Sequence, residues 1–332
     1  MAKLEDIARQ AGVSTSTVSR VVNGKKYINS EKRAQILKLV EENGYIPNKA
    51  ARNMAMQRSF TVGVVIPDAF NIFQRQLFSI IERYLNSFGY HTTFFFVKFD
   101  SSSEKACLNR LKAEQIDGVI MLHELKYPAF YEYAAKISLP VVSTLCNSDN
   151  LPTIKINDRL AATEAVNHLL GLGHKKINLI CGCGFSFGEE RRKGYYDALS
   201  AAGIDRDENR VICVKQYSSE FGTYGMKELL LRSRDFTAVF AASDELAIGA
   251  IRVLKDEGLR VPEDVSIIGF DNIESSNYYI PRLTTIHQPI EEIGEQAALG
   301  LHRRITGGIN LDSEIIIPHK LIIRESTHSI AH

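Results

Sequence analysis

The stretch LEDIARQAGVSTSTVSRVVNG (residues 4–24) contains two short amphipathic patterns that a single glycine separates. The apolar residues of the first pattern recur every three or four positions, as they do on one face of a helix. They are Leu4, Ile7, Ala8 and Ala11. Gly12 favours an end to this helix, and the hydroxyl of Ser14 can cap a second helix by accepting a backbone N–H of its first turn. The stretch therefore predicts a helix, a short turn and a second helix.

The second helix has a polar side and an apolar side when successive residues are placed about 100° apart. Val18 and Val21 fall on the apolar side, which can pack against the rest of the unit. The polar side can donate and accept hydrogen bonds. Its residues are Thr15, Ser16, Ser19 and Arg20.

Helical spacing resumes in SEKRAQILKLVEENGY (residues 30–45), after a possible cap at Ser30 and before Gly44. The apolar residues of this third pattern are Ala34, Ile36, Leu37 and Val40. Three helices with a polar, arginine-bearing second helix are typical of a helix-turn-helix DNA reader. A small three-helix bundle for protein contact is the alternative interpretation.

Charge is unevenly distributed along the 332 residues. Up to Arg58 the chain carries 11 Lys and Arg against 5 Asp and Glu, whereas the remainder carries 29 against 34. A basic amino-terminal end before an acidic body is expected of a protein whose one end contacts nucleic acid, although chance clustering gives the same count.

These motifs carry a resemblance. The stretch 4–24, together with GYIPNKAARNM (residues 44–54), resembles the head of the lac repressor family of bacterial transcription regulators. The resemblance implies a helix-turn-helix DNA-binding head (1–46), a hinge helix or linker (47–59) and an effector-binding and dimerisation domain (60–332). It also implies DNA contacts at Thr15, Ser16, Ser19, Arg20, Asn23, Ala51 and Met54. Arg20 suits guanine, whose O6 and N7 accept a bidentate guanidinium.

The connecting segment PNKAARNMAMQRS (residues 47–59) is rich in helix formers, and Asn48 can cap it. So short a helix is marginal alone in water, so we expect it to be disordered without DNA and helical when two copies pack over the minor groove. The family places a leucine where this chain has Met54, and that side chain wedges between base pairs. An inert linker is the alternative.

From Thr61 onward, short runs rich in Val, Ile and Phe alternate with helical patterns, which indicates parallel strands joined by crossover helices. Eight such runs are predicted as strands: 61–67, 91–97, 118–122, 140–144, 176–182, 210–214, 237–243 and 265–270. The resemblance implies an α/β effector domain of two parallel-sheet lobes, similar to periplasmic sugar-binding proteins. Lobe one would be 60–157 and 288–318, lobe two 158–287 and 319–332, with crossings near Asn157, His287 and Pro318.

In open parallel sheets, ligands bind beyond the carboxyl ends of the strands. Asp68, Phe73, Asp244 and Asp271 follow predicted strands and would face one crevice. The resemblance adds Arg191 and Tyr217 to the effector pocket and implies that Asp271 is its principal carboxylate. Carboxylates, an arginine and flat rings suit a carbohydrate. Each acid has the alternative of a helix cap or a buried salt bridge.

The five cysteines and the polar amino terminus predict a reduced, cytoplasmic protein without a secretory leader. Cys181 and Cys183 lack a second Cys/His pair with matching spacing, so neither a metal nor a cofactor is expected. No run reaches the apolar length of a membrane span. The absence of a phosphate-cradling loop and of a nucleophile elbow argues against an enzyme.

The sequence thus predicts a transcription regulator, a repressor, that binds double-stranded operator DNA as a homodimer. A small ligand between the lobes, a sugar or sugar derivative, would switch its operator affinity. The alternatives are an effector-independent or corepressor-dependent regulator, and a solute-binding protein.

Overall fold

The protein is described here by a computed structural model that covers residues 3–22, 29–45, 58–68, 70–98, 100–145, 151–308 and 314–330. The chain divides into two compact units, Met1–Ser59 and Phe60–His332. Residues 47–57 of the predicted hinge lie outside the described residues. The limits of the hinge and of the lobes given above remain predictions.

The first unit contains the helices α1 (Leu4–Ala11), α2 (Thr15–Val22) and α3 (Ser30–Glu42). Gly12 ends α1 in the left-handed conformation (φ 62°), which costs a glycine no steric clash. The hydroxyl of Ser14 accepts the backbone N–H of Thr17 at 3.2 Å and so caps α2 as predicted. Each helix contributes a fully buried side chain to one small core: Ile7, Val18 and Ile36.

Two details of the third helix differ from the prediction. Its cap is Asn29 rather than Ser30, because the Asn29 amide oxygen accepts the N–H of Glu31 at 2.7 Å. Ala34 and Leu37 are both exposed, Leu37 by 43%, and Leu39 packs against the core instead. Ile36 defines the inward direction, and Leu39 and Val40 share it because they lie three and four residues further along.

The first sheet of the second unit has the strand order β11-β5-β4-β3-β1-β2, and each described pair of neighbouring strands in it is parallel. Helices α4 (Ile72–Ser87), α5 (Ser101–Ala113) and α6 (Pro128–Lys136) connect its strands. The strands are β1 (Thr61–Pro67), β2 (His91–Val97), β3 (Gly118–Met121), β4 (Val141–Thr144), β5 (Thr153–Lys155) and β11 (Glu314–Ile316).

The second sheet has the order β12-β10-β9-β8-β6-β7, with only the pair of β10 and β12 antiparallel among its described strands. Its strands are β6 (Ile177–Gly182), β7 (Val211–Val214), β8 (Ala238–Ala241), β9 (Ser266–Asp271), β10 (Thr284–His287) and β12 (Lys320–Ile322). Its helices are α7 (Asp158–Gly171), α8 (Ser186–Ala201), α9 (Ser219–Arg232) and α10 (Asp244–Asp256). The predicted class, a small helical head followed by an α/β domain of two mostly parallel sheets, is confirmed.

The chain passes three times between the two sheets. It leaves the first sheet between β5 and α7, and it returns after β10 into helix α11 (Ile290–Ile305), which packs on α4, β3 and β4. It leaves again between β11 and β12. All eight predicted strand runs form strands, and β12 begins the further strand pattern KLIIRES (residues 320–326). Strands β5, β10 and β11 were not predicted, since TIK, TTIH and EII are not runs rich in Val, Ile and Phe.

Helices α7 and α8 approach closely at Gly194. A Cβ atom there would press against the carbonyl oxygen of Arg159 and lie 2.8 Å from the Cβ of Ala162. Contacts that short require the helices to move apart, since backbone atoms cannot rotate out of the way. Gly171, the last residue of α7, has open space around its Cβ position.

We therefore expect Gly194→Ala to lower the free energy of unfolding of the second unit by about 1–3 kcal/mol, although alanine is the better helix former. The matched control Gly171→Ala should be neutral or stabilising. Urea denaturation followed by circular dichroism measures both. Equal stability of the two variants would show that the helices are not in close contact at Gly194.

Candidate functional site

The exposed face of α2 carries the residues predicted to contact DNA. Thr15, Ser16 and Arg20 are exposed, and Ser19 is half-buried. Val18 and Val21 are buried on the opposite face, as predicted. Hydroxyls and a guanidinium on one side of a short helix are the groups that reach phosphates and base edges in a major groove. Asn23, Ala51 and Met54 lie outside the described residues.

The second unit contains a cavity at the carboxyl ends of strands from both sheets. Segments that follow strands of the first sheet contribute Asn71, Phe73, Gln74 and Leu145. The second sheet and its helices contribute Asp158, Phe187, Arg191, Tyr217, Asp271 and Gln288. The strand ends thus converge as the rule for open parallel sheets requires.

Arg191 is the centre of the polar side of this cavity, although it is almost fully buried. Its Nε donates to Asp158 Oδ1 at 2.8 Å and one Nη donates to the carbonyl oxygen of Ala242 at 2.7 Å. The same Nη lies 3.7 Å from Asp271 Oδ1. The guanidinium also stacks on the ring of Phe270, with its Cζ 3.6 Å from the ring centroid.

Burial and charge oppose each other in this group. Burial raises the pKa of Asp158, and the charge of Arg191 lowers it again in part. Burial also raises the pKa of Asp271 well above its ordinary value, against the opposing effect of Arg191. For Arg191, burial would lower the pKa, but Asp158 and Asp271 more than compensate, so the guanidinium stays charged.

Asp271 has an unusual backbone conformation for a residue with a side chain, with φ at 109°. It ends β9, and Gln288 Nε2 donates to its Oδ1 at 2.7 Å. Such a conformation costs about 1–3 kcal/mol and persists only where its surroundings hold it. This backbone conformation places the Asp271 carboxylate at the wall of the cavity instead of inside the sheet.

Aromatic rings form the apolar side of the cavity. Tyr217 and Phe187 lie 5.3 Å apart between ring centroids, and Phe73 enters from the first sheet's side. The Tyr217 hydroxyl accepts the backbone N–H of Gly182 at 3.1 Å. A Cβ atom on Gly182 would be 2.7 Å from the Cζ of Tyr217, so only glycine leaves room for this ring. Rings beside carboxylates and a guanidinium form a surface that fits a polyhydroxylated ligand with one flat face.

Comparison with known proteins finds similarity both to the helical head and to the unit that contains the cavity. Residues 3–48 match the model of the lacI family of bacterial regulatory proteins, and residues 166–327 match a periplasmic binding protein-like domain. The catabolite control protein A of Priestia megaterium is 34% identical over 97% of this chain and 98% of its own length. The chain belongs to the lacI family of bacterial regulatory proteins. It is a DNA-binding transcription regulator.

Solved structures of the family extend the similarity through the whole fold. A lac repressor dimer bound to operator and the anti-inducer ONPF has a TM-score of 0.87 and 28% identity, covering 99% of each chain. The transcriptional regulator CelR in complex with cellobiose has a TM-score of 0.74 and 29% identity, covering 98% of this chain and 100% of its own.

Four of the six predicted effector residues of this lacI-family regulator line the cavity: Phe73, Arg191, Tyr217 and Asp271. Asp68 does not; it is exposed and its backbone N–H donates to the carbonyl of Val97. Asp244 is fully buried away from the cavity lining, and its carboxylate accepts Thr285 Oγ1 at 2.6 Å and Ile273 N–H at 2.9 Å. These partners place Asp244 in the internal hydrogen bonding that ties α10 to β10.

The cavity also contains residues that were not predicted: Asn71, Gln74, Leu145, Asp158, Phe187 and Gln288. Asp158 directly follows Asn157, near which a crossing between the lobes was predicted. Asn157 caps α7 by accepting the N–H of Leu160, which leaves Asp158 to pair with Arg191. The others have no recognisable signal, since an amide or a phenylalanine after a strand is equally common in a core.

Two further properties bear on the possible chemistry. Across the described ranges, none of the helices combines the length and the hydropathy of a transmembrane segment. In the same residues, histidines, cysteines and carboxylates form no group of three or more that could hold a metal ion.

We expect Arg191→Met to destabilise the second unit by about 3–5 kcal/mol at pH 7, because it leaves Asp158 and Asp271 buried without a counter-charge. Both carboxyls have raised pKa values in the folded state. A raised folded pKa favours folding at low pH and the effect is lost as pH rises through it, so the deficit should shrink from pH 7 to pH 5.

Denaturant unfolding at several pH values measures this deficit. Arg192→Met is the matched control, because Arg192 pairs with Glu189 at the surface and should cost less than about 1 kcal/mol. The double variant Arg191→Met/Asp158→Asn should recover part of the lost stability. A deficit independent of pH and unchanged in the double variant would contradict the electrostatic explanation.

Proposed function

We propose that this protein is a homodimeric repressor whose affinity for double-stranded operator DNA is set by a sugar bound in the cavity. The observation that carries the proposal is the combination of Arg191, two carboxyl side chains and aromatic rings at the joint ends of two sheets. Sugar hydroxyls both donate and accept, so they match carboxylates, a guanidinium and amides together. The sugar's apolar face suits Phe73, Phe187 or Tyr217.

The cellobiose complex of CelR supports a carbohydrate, because that regulator shares this fold over its whole length. The cavity draws residues from both sheets, so a bound sugar makes contacts that depend on the angle between them. To act as a switch, the sugar must bind one arrangement more tightly than the other. A hundredfold difference corresponds to about 2.7 kcal/mol. Effectors of either sign, inducing or corepressing, act through this difference.

The proposed role is binding and not catalysis, and it places the protein in the cytoplasm with the chromosome. The carboxyl groups of Asp158 and Asp271 are engaged by Arg191 and Gln288. A general acid or base needs a lone pair or a proton free to meet its substrate. The proposed hinge at 47–59, with Ala51 and Met54 at the minor groove, completes the DNA contacts of α2.

Replacing Arg20 by alanine should weaken binding to the specific operator by about 1–3 kcal/mol and relax the preference at one base pair. The control Lys38→Ala removes the same charge from α3, where Lys38 is exposed and pairs with Glu42. Electrophoretic mobility or fluorescence anisotropy on operator and scrambled DNA measures both affinities. If both variants lose the same affinity on both DNAs, Arg20 contributes only charge.

A thermal-shift screen of sugars and sugar phosphates tests the cavity. A ligand present at a hundred times its dissociation constant stabilises the protein by about 2.7 kcal/mol. We expect Asp271→Asn to abolish this shift and to leave operator binding intact, since its side-chain oxygen can still accept the hydrogen bond from Gln288.

Asp68→Asn is the matched control for this change, because Asp68 is an exposed residue outside the cavity lining. It should respond to the sugar like the unaltered protein. A sugar that stabilises all three proteins equally would show that it binds elsewhere. Loss of operator binding in Asp271→Asn alone would indicate a folding defect.

A further inference from the structure

Three cysteine thiols meet at the edge of the second sheet, beside the cavity. Cys181 and Cys213 lie opposite each other in the parallel strands β6 and β7, and their sulfur atoms are 3.7 Å apart. Cys183 follows Cys181 by two positions, which directs it to the same face of the sheet. The Cys183 thiol is close enough to lower the pKa of Cys213. Cys213 lies 32 residues after Cys181 in the sequence. Only the strand register therefore reveals this cysteine cluster.

The three thiols differ in exposure. Cys181 is buried, whereas Cys183 and Cys213 are exposed. Arg192, the neighbour of the cavity residue Arg191, adds a positive charge that acts on both Cys181 and Cys213. Exposure, a second thiol within hydrogen-bonding distance and a nearby arginine form the environment of a reactive cysteine.

The ionisation of the cluster agrees with this geometry. The hydrogen bond with Cys181 lowers the pKa of Cys213 to about 6. Cys183 and Arg192 act in the same direction, whereas burial and the charge of Glu189 oppose them. The hydrogen bond to Cys213 raises the pKa of Cys181, and burial raises that of Cys183 to about 12. These directions favour Cys213, rather than Cys181 or Cys183, as the thiolate of the cluster. Elsewhere, burial raises the pKa of Cys107 to about 11, which makes it inert.

We propose that Cys213 is a reversible oxidation site, at which a peroxide forms a sulfenic acid that Cys181 converts to a disulfide. In the first step the Cys213 thiolate attacks one oxygen of hydrogen peroxide, the O–O bond breaks, and hydroxide leaves. Sulfur loses two electrons and the peroxide gains them. In the second step the Cys181 sulfur attacks the Cys213 sulfur, the S–O bond breaks, and the departing oxygen takes the Cys181 proton to leave as water.

The strand register brings the two cysteines within reach of a disulfide. Neighbouring strands lie about 4.7–4.9 Å apart, and disulfides span Cα separations of about 4.4–6.8 Å. The two sulfurs need only close from 3.7 Å to bonding distance. Cys181 is the resolving partner because the register holds it directly opposite Cys213.

The disulfide would act on the cavity through Gly182. This residue follows Cys181, and its N–H donates to the hydroxyl of Tyr217 in the cavity wall. Gly188 is also close, since a Cβ atom there would lie 2.6 Å from the same hydroxyl. The disulfide draws the end of β6 toward β7. Because Gly182 and Gly188 leave no free space around Tyr217, the Tyr217 ring must shift. An effect on sugar binding follows only if the proposed function holds; the disulfide and the shift do not depend on it.

Peptide mapping tests the disulfide in the full-length protein. The reduced protein is treated with hydrogen peroxide, its free thiols are blocked, and it is digested with trypsin without reduction. The expected product joins VICVK (211–215) to INLICGCGFSFGEER (177–191) and disappears with dithiothreitol. Cys213→Ser and Cys181→Ser should abolish the product, whereas Cys183→Ser and the control Cys107→Ser should retain it. Absence of the product from the unaltered protein, or its loss only in Cys183→Ser, would overturn the proposal.

Hydrogen exchange tests the effect on the cavity independently of any sugar. The amide of Gly182 should lose protection at least severalfold in the oxidised protein, and Cys213→Ser should show no change with peroxide. Unchanged protection in the disulfide form would refute the link to Tyr217. Sugar thermal shifts on the reduced protein test the proposed function separately, so a failure there leaves the exchange result intact.

Discussion

A buried guanidinium imposes the strictest requirement on this structure. Arg191 projects from α8 and is almost fully buried, and an unpaired charge at such a position would cost several kcal/mol. Its partners come from the start of α7, the end of β8 and the end of β9, through Asp158, the Ala242 carbonyl and Asp271. These segments must keep their positions for the charge to be tolerated. The unusual backbone of Asp271 is one cost of meeting that requirement.

The charged network belongs to one side of the cavity only. Asp158, Arg191 and Asp271 all stand on elements of the second sheet, whereas the first sheet's side supplies amide and apolar groups. The two sheets can therefore change their angle without separating buried opposite charges. Among the described residues, a hydrogen bond from the Ile72 N–H at the start of α4 to Glu245 at the start of α10 joins the two sides. A ligand that changes the angle would compete with this bond and not with the ion pairs.

The sequence allowed prediction of those features of the fold and the cavity that depend on local composition. Eight strands were predicted correctly because strands buried on both faces are nearly continuous in apolar residues. Phe73 and Asp271 were predicted from the strand ends, and Arg191 and Tyr217 from the family resemblance. All four line the cavity. Asp68 and Asp244 fit the same strand-end pattern but do not reach the cavity. The partner that orients Asp244, Thr285, lies 41 residues further along the chain, so no local pattern reveals it. The cysteine cluster escaped notice for the same reason, because it depends on strand register.

The division of charge along the chain bears on how such a regulator finds its site. The basic residues before Arg58 favour any phosphate backbone, while the acidic remainder of the chain repels it. Contact with DNA is thereby restricted to one end of the chain. The exposed face of α2 offers one arginine and short hydroxyl side chains, which discriminate few base pairs. One head alone therefore has little specificity, and two linked heads add their binding free energies on one operator. In the proposed homodimer the partner supplies the second head. The angle between the sheets can then control the spacing between the two heads.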